Sequence, residues 1–245
     1  MVKKITKCLM VMTFALFCLT AVPDEVLAKE IKIAIIDSGA SRYADFTHSF
    51  TSYSANEDPL NHGTQIAKII RKVSPNAKIY MLQVCESSNG ILRPSRKAIL
   101  EAIQWSIENQ MDIVNMSFVT RYDDAIQEAI KEAVLKHKIV FIAAAGNYGI
   151  KERYTAGEDG FMKRKGEVQK PAFPSSSPYV ISVGALDSAG STAPYSAHMS
   201  DIEAPGKLNH QEGTSFASAR VTASIANLLI NSNLPRDPKT LLSYL

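Results

Sequence analysis

Ile31-Lys32-Ile33-Ala34-Ile35-Ile36-Asp37-Ser38-Gly39 is the stretch whose reading decides the fold. Its apolar residues run almost unbroken and most are β-branched. That pattern predicts a strand over 31–36 that is buried on both faces. A strand of this kind needs a layer above and a layer below it. The rest of the chain supplies them, with further apolar strands expected over 77–84, 112–116, 139–144 and 179–184, and helices between them over 62–72, 94–109, 122–137 and 215–230. In the second helix Ile99, Ala102, Ile103 and Ile107 recur on one face, and in the third Ala125, Ile126, Ala129, Ile130 and Ala133 do so. Pro94 fits the first turn of its helix. Strands alternating with helices predict an α/β fold with a parallel sheet covered on both sides, and reactive groups at the carboxyl ends of the strands.

A chain of 245 residues, 46% hydrophobic and 21% charged, is long enough for one α/β domain and too apolar to be disordered. Residues 1–28 read as a signal peptide. Lys3, Lys4 and Lys7 precede an uncharged run over 8–22, and Val26-Leu27-Ala28 offers a cleavage site before Lys29. The run is shorter than the roughly 20 residues of a membrane span, so the expected location is secreted or extracytoplasmic, with no membrane attachment after cleavage. A net charge of +3 gives no basic surface for nucleic acid. Cys8 and Cys18 leave with the signal, and Cys85 alone cannot form an internal disulfide. At the end of an apolar strand it reads as a buried, inert thiol. Residues 149–177, with Gly157, Gly160, Gly166 and the cluster Lys163-Arg164-Lys165, read as a solvated surface loop.

Four short motifs carry chemistry. Asp37 ends the first strand, although Asp-Ser-Gly alone is also a common turn. His62, in Asn61-His62-Gly63-Thr64, starts a helix from which its ring could meet a carboxylate on a neighbouring strand. Gly213-Thr214-Ser215-Phe216-Ala217-Ser218-Ala219 opens the most apolar helix. A serine there sits where free N–H groups and the helix dipole favour negative charge. Read alone, it is equally an ordinary N-cap. Asn147 follows Ala143-Ala144-Ala145-Gly146 at a strand end, where its amide could donate to an oxyanion or simply close a turn.

Taken together, Asp, His and Ser in this order with Gly-Thr-Ser opening a helix resemble the subtilisin-like (subtilase) family. His62-Gly63-Thr64-Gln65-Ile66-Ala67, Asp112-Ile113-Val114-Asn115-Met116-Ser117-Phe118, Val183-Gly184-Ala185 and Glu203-Ala204-Pro205-Gly206 are similar to further landmarks of that family. The resemblance spans about 31–230. It implies a three-layer α/β/α architecture with a mostly parallel, roughly seven-stranded sheet, and a serine endopeptidase acting on polypeptides. By the same resemblance Ser215 would be the nucleophile, His62 the base and then the acid, and Asp37 the group that orients the imidazole. Asn147 and the Ser215 N–H would form the oxyanion hole, while Ser117, Phe118, Val119, Ala144 and Gly146 would line the substrate pocket. No cofactor and no metal are expected.

The chain departs from the family in four places. Only Lys29 and Glu30 separate the signal from the first strand, so no separate pro-domain is expected and a separate inhibitor or folding partner is. Arg71-Lys72-Val73-Ser74-Pro75 leads directly to the next strand, leaving no room for the family's calcium loop. Val119 stands in place of the usual glycine, Ala219-Arg220 in place of proline-histidine, and Gln65 and Lys68 in place of histidine and glycine. Arg220, in an apolar helix, needs a partner or a route to solvent. The connection between Gly206 and Gly213 is short. Two other readings compete for this sequence. One is a catalytically silent subtilase fold that binds peptides or a partner protease. The other is a nucleotide-binding protein, for which neither a Gly-x-Gly-x-x-Gly motif nor a P-loop is present.

Overall fold

A computed structural model describes residues 29–39, 42–88, 91–156 and 162–245. The expected signal peptide, Gly157 and Gly160 lie outside these residues. In chain order the elements are β1 (Lys32–Asp37), β2 (Phe46–Ser49), α1 (His62–Val73), β3 (Lys78–Gln83), β4 (Cys85–Ser88), β5 (Ile91–Pro94) and α2 (Arg96–Glu108). They continue with β6 (Ile113–Met116), α3 (Asp124–His137), β7 (Val140–Ala144), β8 (Ile150–Ala156), β9 (Met162–Val168) and β10 (Val180–Leu186). The last are β11 (Ile202–Pro205), β12 (Lys207–Leu208), β13 (Gln211–Glu212), α4 (Thr214–Ile230) and α5 (Pro238–Leu242).

Seven strands form one sheet in the order β11-β10-β7-β6-β1-β3-β2, and every pairing in it is parallel. Alternate residues of each strand feed opposite layers. Ile33 and Ile35 of β1, with Val140 and Ile142 of β7, join the core under α1, α4 and α5. Ala34 and Ile36, with Phe141 and Ala143, join the core under α2 and α3. This is the α/β/α sandwich that the sequence implied. The apolar runs are unbroken because both faces of each central strand are covered.

The structure corrects several boundaries. Pro94 does not open α2. It closes β5, opposite Cys85 in an antiparallel hairpin, where a residue without an N–H is tolerated. Asp123 then caps α3, its carboxylate accepting the N–H groups of Ala125 and Ile126, so Tyr122 stays outside the helix. The edge strands β2 and β11 were not expected. Residues 149–177 are not all loop, since β8 and β9 pair antiparallel across them with Arg153 opposite Lys165.

α1 ends at Val73, and β3 follows at Lys78. Arg220, half-buried on α4, meets no carboxylate among the described residues. Its guanidinium donates to the carbonyls of Pro205 (2.9 Å), Lys207 (2.7 Å) and Phe216 (3.1 Å). Burial draws its pKa below the ordinary arginine value. The side chain therefore ties the turn between β11 and β12 to the helix. Arg220→Met keeps the stem and removes the donors. It is expected to cost about 1–3 kcal/mol, seen as a lower urea midpoint at unchanged slope. A midpoint equal to the parent's would show that the clamp contributes nothing.

Candidate active site

Asp37 and His62 meet because two backbones approach closely. Gly63, the second residue of α1, lies against Gly39 just past β1, and a Cβ on Gly63 would stand 2.2 Å from the Gly39 carbonyl oxygen. Only glycine allows the helix start to come this near to the strand end. The N-cap Asn61 has φ 53° and offers no side-chain cap. The free helix N–H groups are instead met from outside. Ser38 Oγ accepts from Gly63 N (3.0 Å) and donates to Asp58 Oδ1 (2.7 Å), while Asp58 Oδ2 accepts from Thr64 N (2.8 Å). These two side chains were not singled out from the sequence, and an acid four residues before the helix was their only signal there.

The imidazole Nδ1 of His62 lies 2.8 Å from Asp37 Oδ1, which also accepts the Ser38 N–H at 2.7 Å. Asp37 is 3% exposed and His62 31%. The Asp37 charge raises the His62 pKa above 6.5, burial opposes that rise, and the hydrogen bond to Asp37 and the charge of Asp58 add to it. Asp37 Oδ2 is buried without a partner.

Ser215 is not an N-cap. It is the second residue of α4, after Gly213 and Thr214. Its Oγ donates to the Ser117 carbonyl at 2.8 Å. At this position its N–H has no acceptor within the helix. α4 is held to β6 by a buried polar seam. Asn115 Nδ2 donates to Ser117 Oγ (2.9 Å), Ser117 Oγ contacts Ser218 Oγ (2.9 Å) and donates to the Ser215 carbonyl (3.1 Å), and Thr222 Oγ1 donates to Asn115 Oδ1 (2.9 Å).

Asn147 is oriented by Thr214. Its Oδ1 accepts both the backbone N–H and the hydroxyl of Thr214, each at 2.9 Å. The amide NH2 is thereby left as the free end, beside Gly213. Thr214 also accepts the Gly146 N–H at 3.2 Å. The sequence reading missed Thr214, whose role appears only once α4 and the end of β7 are adjacent.

His62, Asn147, Ser215 and Phe216 line one open cavity of about 350 Å³. Ser117, Phe118, Val119, Ala144 and Gly146, expected along the substrate, lie beside this cavity rather than in its lining. Ser117 touches Ser215, and Ala144 is buried in β7 opposite Val183. Phe118 packs on the core under α2 and α3. Val119 faces Gly146, with Cγ1 3.6 Å from where a Gly146 Cβ would stand, and Tyr148 lies 3.0 Å from the same point. Gly146 has φ 114°, a conformation that suits glycine. The Cys85 thiol is buried and unpaired, and burial together with the charges of Asp37 and Asp58 pushes its pKa up to about 12. A hydroxyl at a helix start, an imidazole held by a buried carboxylate and an amide donor on one cavity can together support nucleophilic acyl transfer.

The sequence matches the family described as the subtilase family over residues 28–237. It is similar to the minor extracellular protease Epr of Bacillus subtilis, with 34% identity over 49% of this chain and 20% of that protein. It is also similar to subtilisin E of Bacillus subtilis, with 28% identity over 81% of this chain and 55% of that protein. The chain spans about half the length of most of the first curated relatives it matches. A solved lanthipeptide protease superposes with a TM-score of 0.67 at 20% identity, over 88% of this chain and 78% of its own, which is a likeness of fold.

The charges around His62 make a direct test possible. Its ring resonances, followed by NMR through a pH titration, should give a pKa above 6.5. Asp37→Asn should lower that pKa most and Asp58→Asn by less, since each removes a negative charge that favours the imidazolium. A native pKa at or below 6.5 would refute this account of the site.

Proposed function

The chain belongs to the subtilase family, and from that premise we propose that it is a secreted serine endopeptidase that cuts polypeptides through an acyl-enzyme intermediate. The observation that carries the reading is the 2.8 Å Asp37–His62 hydrogen bond on a cavity that also holds Ser215 and Asn147. Rotation about one side-chain bond takes Ser215 Oγ from the Ser117 carbonyl towards the imidazole. Oγ then bonds to the scissile carbonyl carbon as its proton passes to His62. Asp37 holds the tautomer and stabilises the imidazolium. Asn147 Nδ2 and the Ser215 N–H receive the oxyanion. Collapse of the intermediate breaks the C–N bond, the amine leaves with the proton from His62, and water then releases the acyl group by the same route. Secretion is supported by the signal-like residues 1–28 and by the extracellular relative. Among the described residues no helix is long and apolar enough to cross a membrane.

A fluorophosphonate probe should label the native protein and leave Ser215→Ala unlabelled. Removal of a triad member costs enzymes of this family roughly 10⁴–10⁶ in rate, and a Ser215→Ala variant with near-normal hydrolysis would end the proposal. Asn147→Leu should lower kcat by about 10²–10³ with little change in KM.

Val119 and Tyr148, which crowd Gly146, narrow the space for the residue before the cut. The β-branched valine cannot swing far aside. Matched peptides should therefore be cleaved better after Ala than after Phe, and Val119→Gly should raise kcat/KM for Phe. Native enzyme that prefers Phe, with no gain in the variant, would remove the steric argument.

A further inference from the structure

Two of the chain's departures from its family meet at one place. Gln65 and Lys68 lie on the exposed side of α1, and the short connection after Gly206 folds as the β12–β13 hairpin with His210 in its two-residue turn. Together with Arg42 they wall a second cavity of about 400 Å³. Gln65 and Gln211 belong to this cavity and to the catalytic one alike, so the two are continuous. Its two charged side chains, Arg42 and Lys68, are both cationic. His210 and Tyr43 stand beside them, and among the described residues no carboxylate lines the cavity. The side chains of Arg42, Lys68 and His210 are exposed, and none is held by an ion pair among the described residues. The nearest acid of the hairpin, Glu212, faces the catalytic cavity instead.

The side of the cleft follows from the contacts at Ser215. Ser117 accepts the Ser215 hydroxyl, Gly146 meets the adjacent Thr214, Val119 faces Gly146, and none of the three lines either cavity. A peptide whose acyl half lies along those residues carries its leaving half past His62, Gln65 and Gln211. We propose that the second cavity is a leaving-group subsite that selects an acidic side chain downstream of the cut. The subsite rests on the peptidase reading above. A carboxylate entering it meets two cations without an ion-pair partner among the described residues, Arg42 lying over the Tyr43 ring at 5.6 Å, in a concave setting where charge complementarity governs selection and encounter. Lys68 supplies a mobile point charge, and Arg42 a planar fork suited to two carboxylate oxygens.

The experiment uses internally quenched peptides of one parent sequence, with Asp, Glu, Asn, Gln or Lys placed in turn at each of the first four positions after the cut. At one or two adjacent positions the acids should raise kcat/KM by about five- to tenfold over their amides, and the gain should shrink as salt rises. The double variant Arg42→Gln, Lys68→Gln should lose this preference and still cleave the amide peptides as before. Lys68→Glu should shift the preference towards Lys. The same acid-to-amide ratio, read as binding affinity by anisotropy with Ser215→Ala, tests the subsite without any turnover. Equal binding and cleavage of acids and amides, or a preference that persists in the double variant, would overturn the subsite. Failure to cleave any peptide, with the binding preference intact, would overturn the peptidase reading alone.

Discussion

The buried seam between β6 and α4 is the interaction on which the rest of the site depends. Asn115 on the strand and Ser117 just past its end meet Ser218 and Thr222 on the helix, and these four side chains are all but fully buried. In an apolar interior such groups are costly unless each finds its partner. Sliding α4 by one residue would break the whole set. The seam therefore sets the helix in one register, where apolar packing alone would tolerate several. That register puts Ser215 over the end of β6 and Thr214 against Asn147.

On the neighbouring strand β1 the logic is steric and electrostatic. α1 starts in the gap that Gly39 and Gly63 leave, and Ser38 with Asp58 takes over the capping that Asn61 does not provide. His62 thus stands at the first position of a helix whose start is fixed from two sides. The two halves of the site rest on neighbouring strands, β1 and β6, so the sheet itself sets the separation between the imidazole and the serine.

Much of this was legible in the sequence, for a physical reason. Central parallel strands are buried on both faces, so β1, β3, β6, β7 and β10 announce themselves as apolar runs, and the residues at their carboxyl ends draw attention. Edge strands carry no such signal. β2 reads Phe46-Thr47-His48-Ser49 and β11 ends in a proline, so neither stands out. The β8–β9 hairpin is hidden among charges and glycines. Pro94 was placed in a helix because a first turn and a strand end accept proline equally well. Thr214, Ser38 and Asp58 escaped because a positioning side chain has meaning only once its partner, distant in sequence, is beside it. The cavity beyond Gln65 was visible only as substitutions without a purpose until α1 and the hairpin were seen to face each other.

Cys85 has a consequence for handling the protein. Burial first, and then the charges of Asp37 and Asp58, push the thiol pKa up to about 12, and it is the thiolate that attacks disulfides and peroxides. The same carboxylate charges that favour the imidazolium of His62 also hold the proton on this sulfur. The folded domain is thereby guarded against mixed disulfides and sulfenic acid in an oxidising medium, and unfolding removes the guard. Thiol trapping of Cys85 thus reports opening of the chain just past β3, where the β4–β5 hairpin begins.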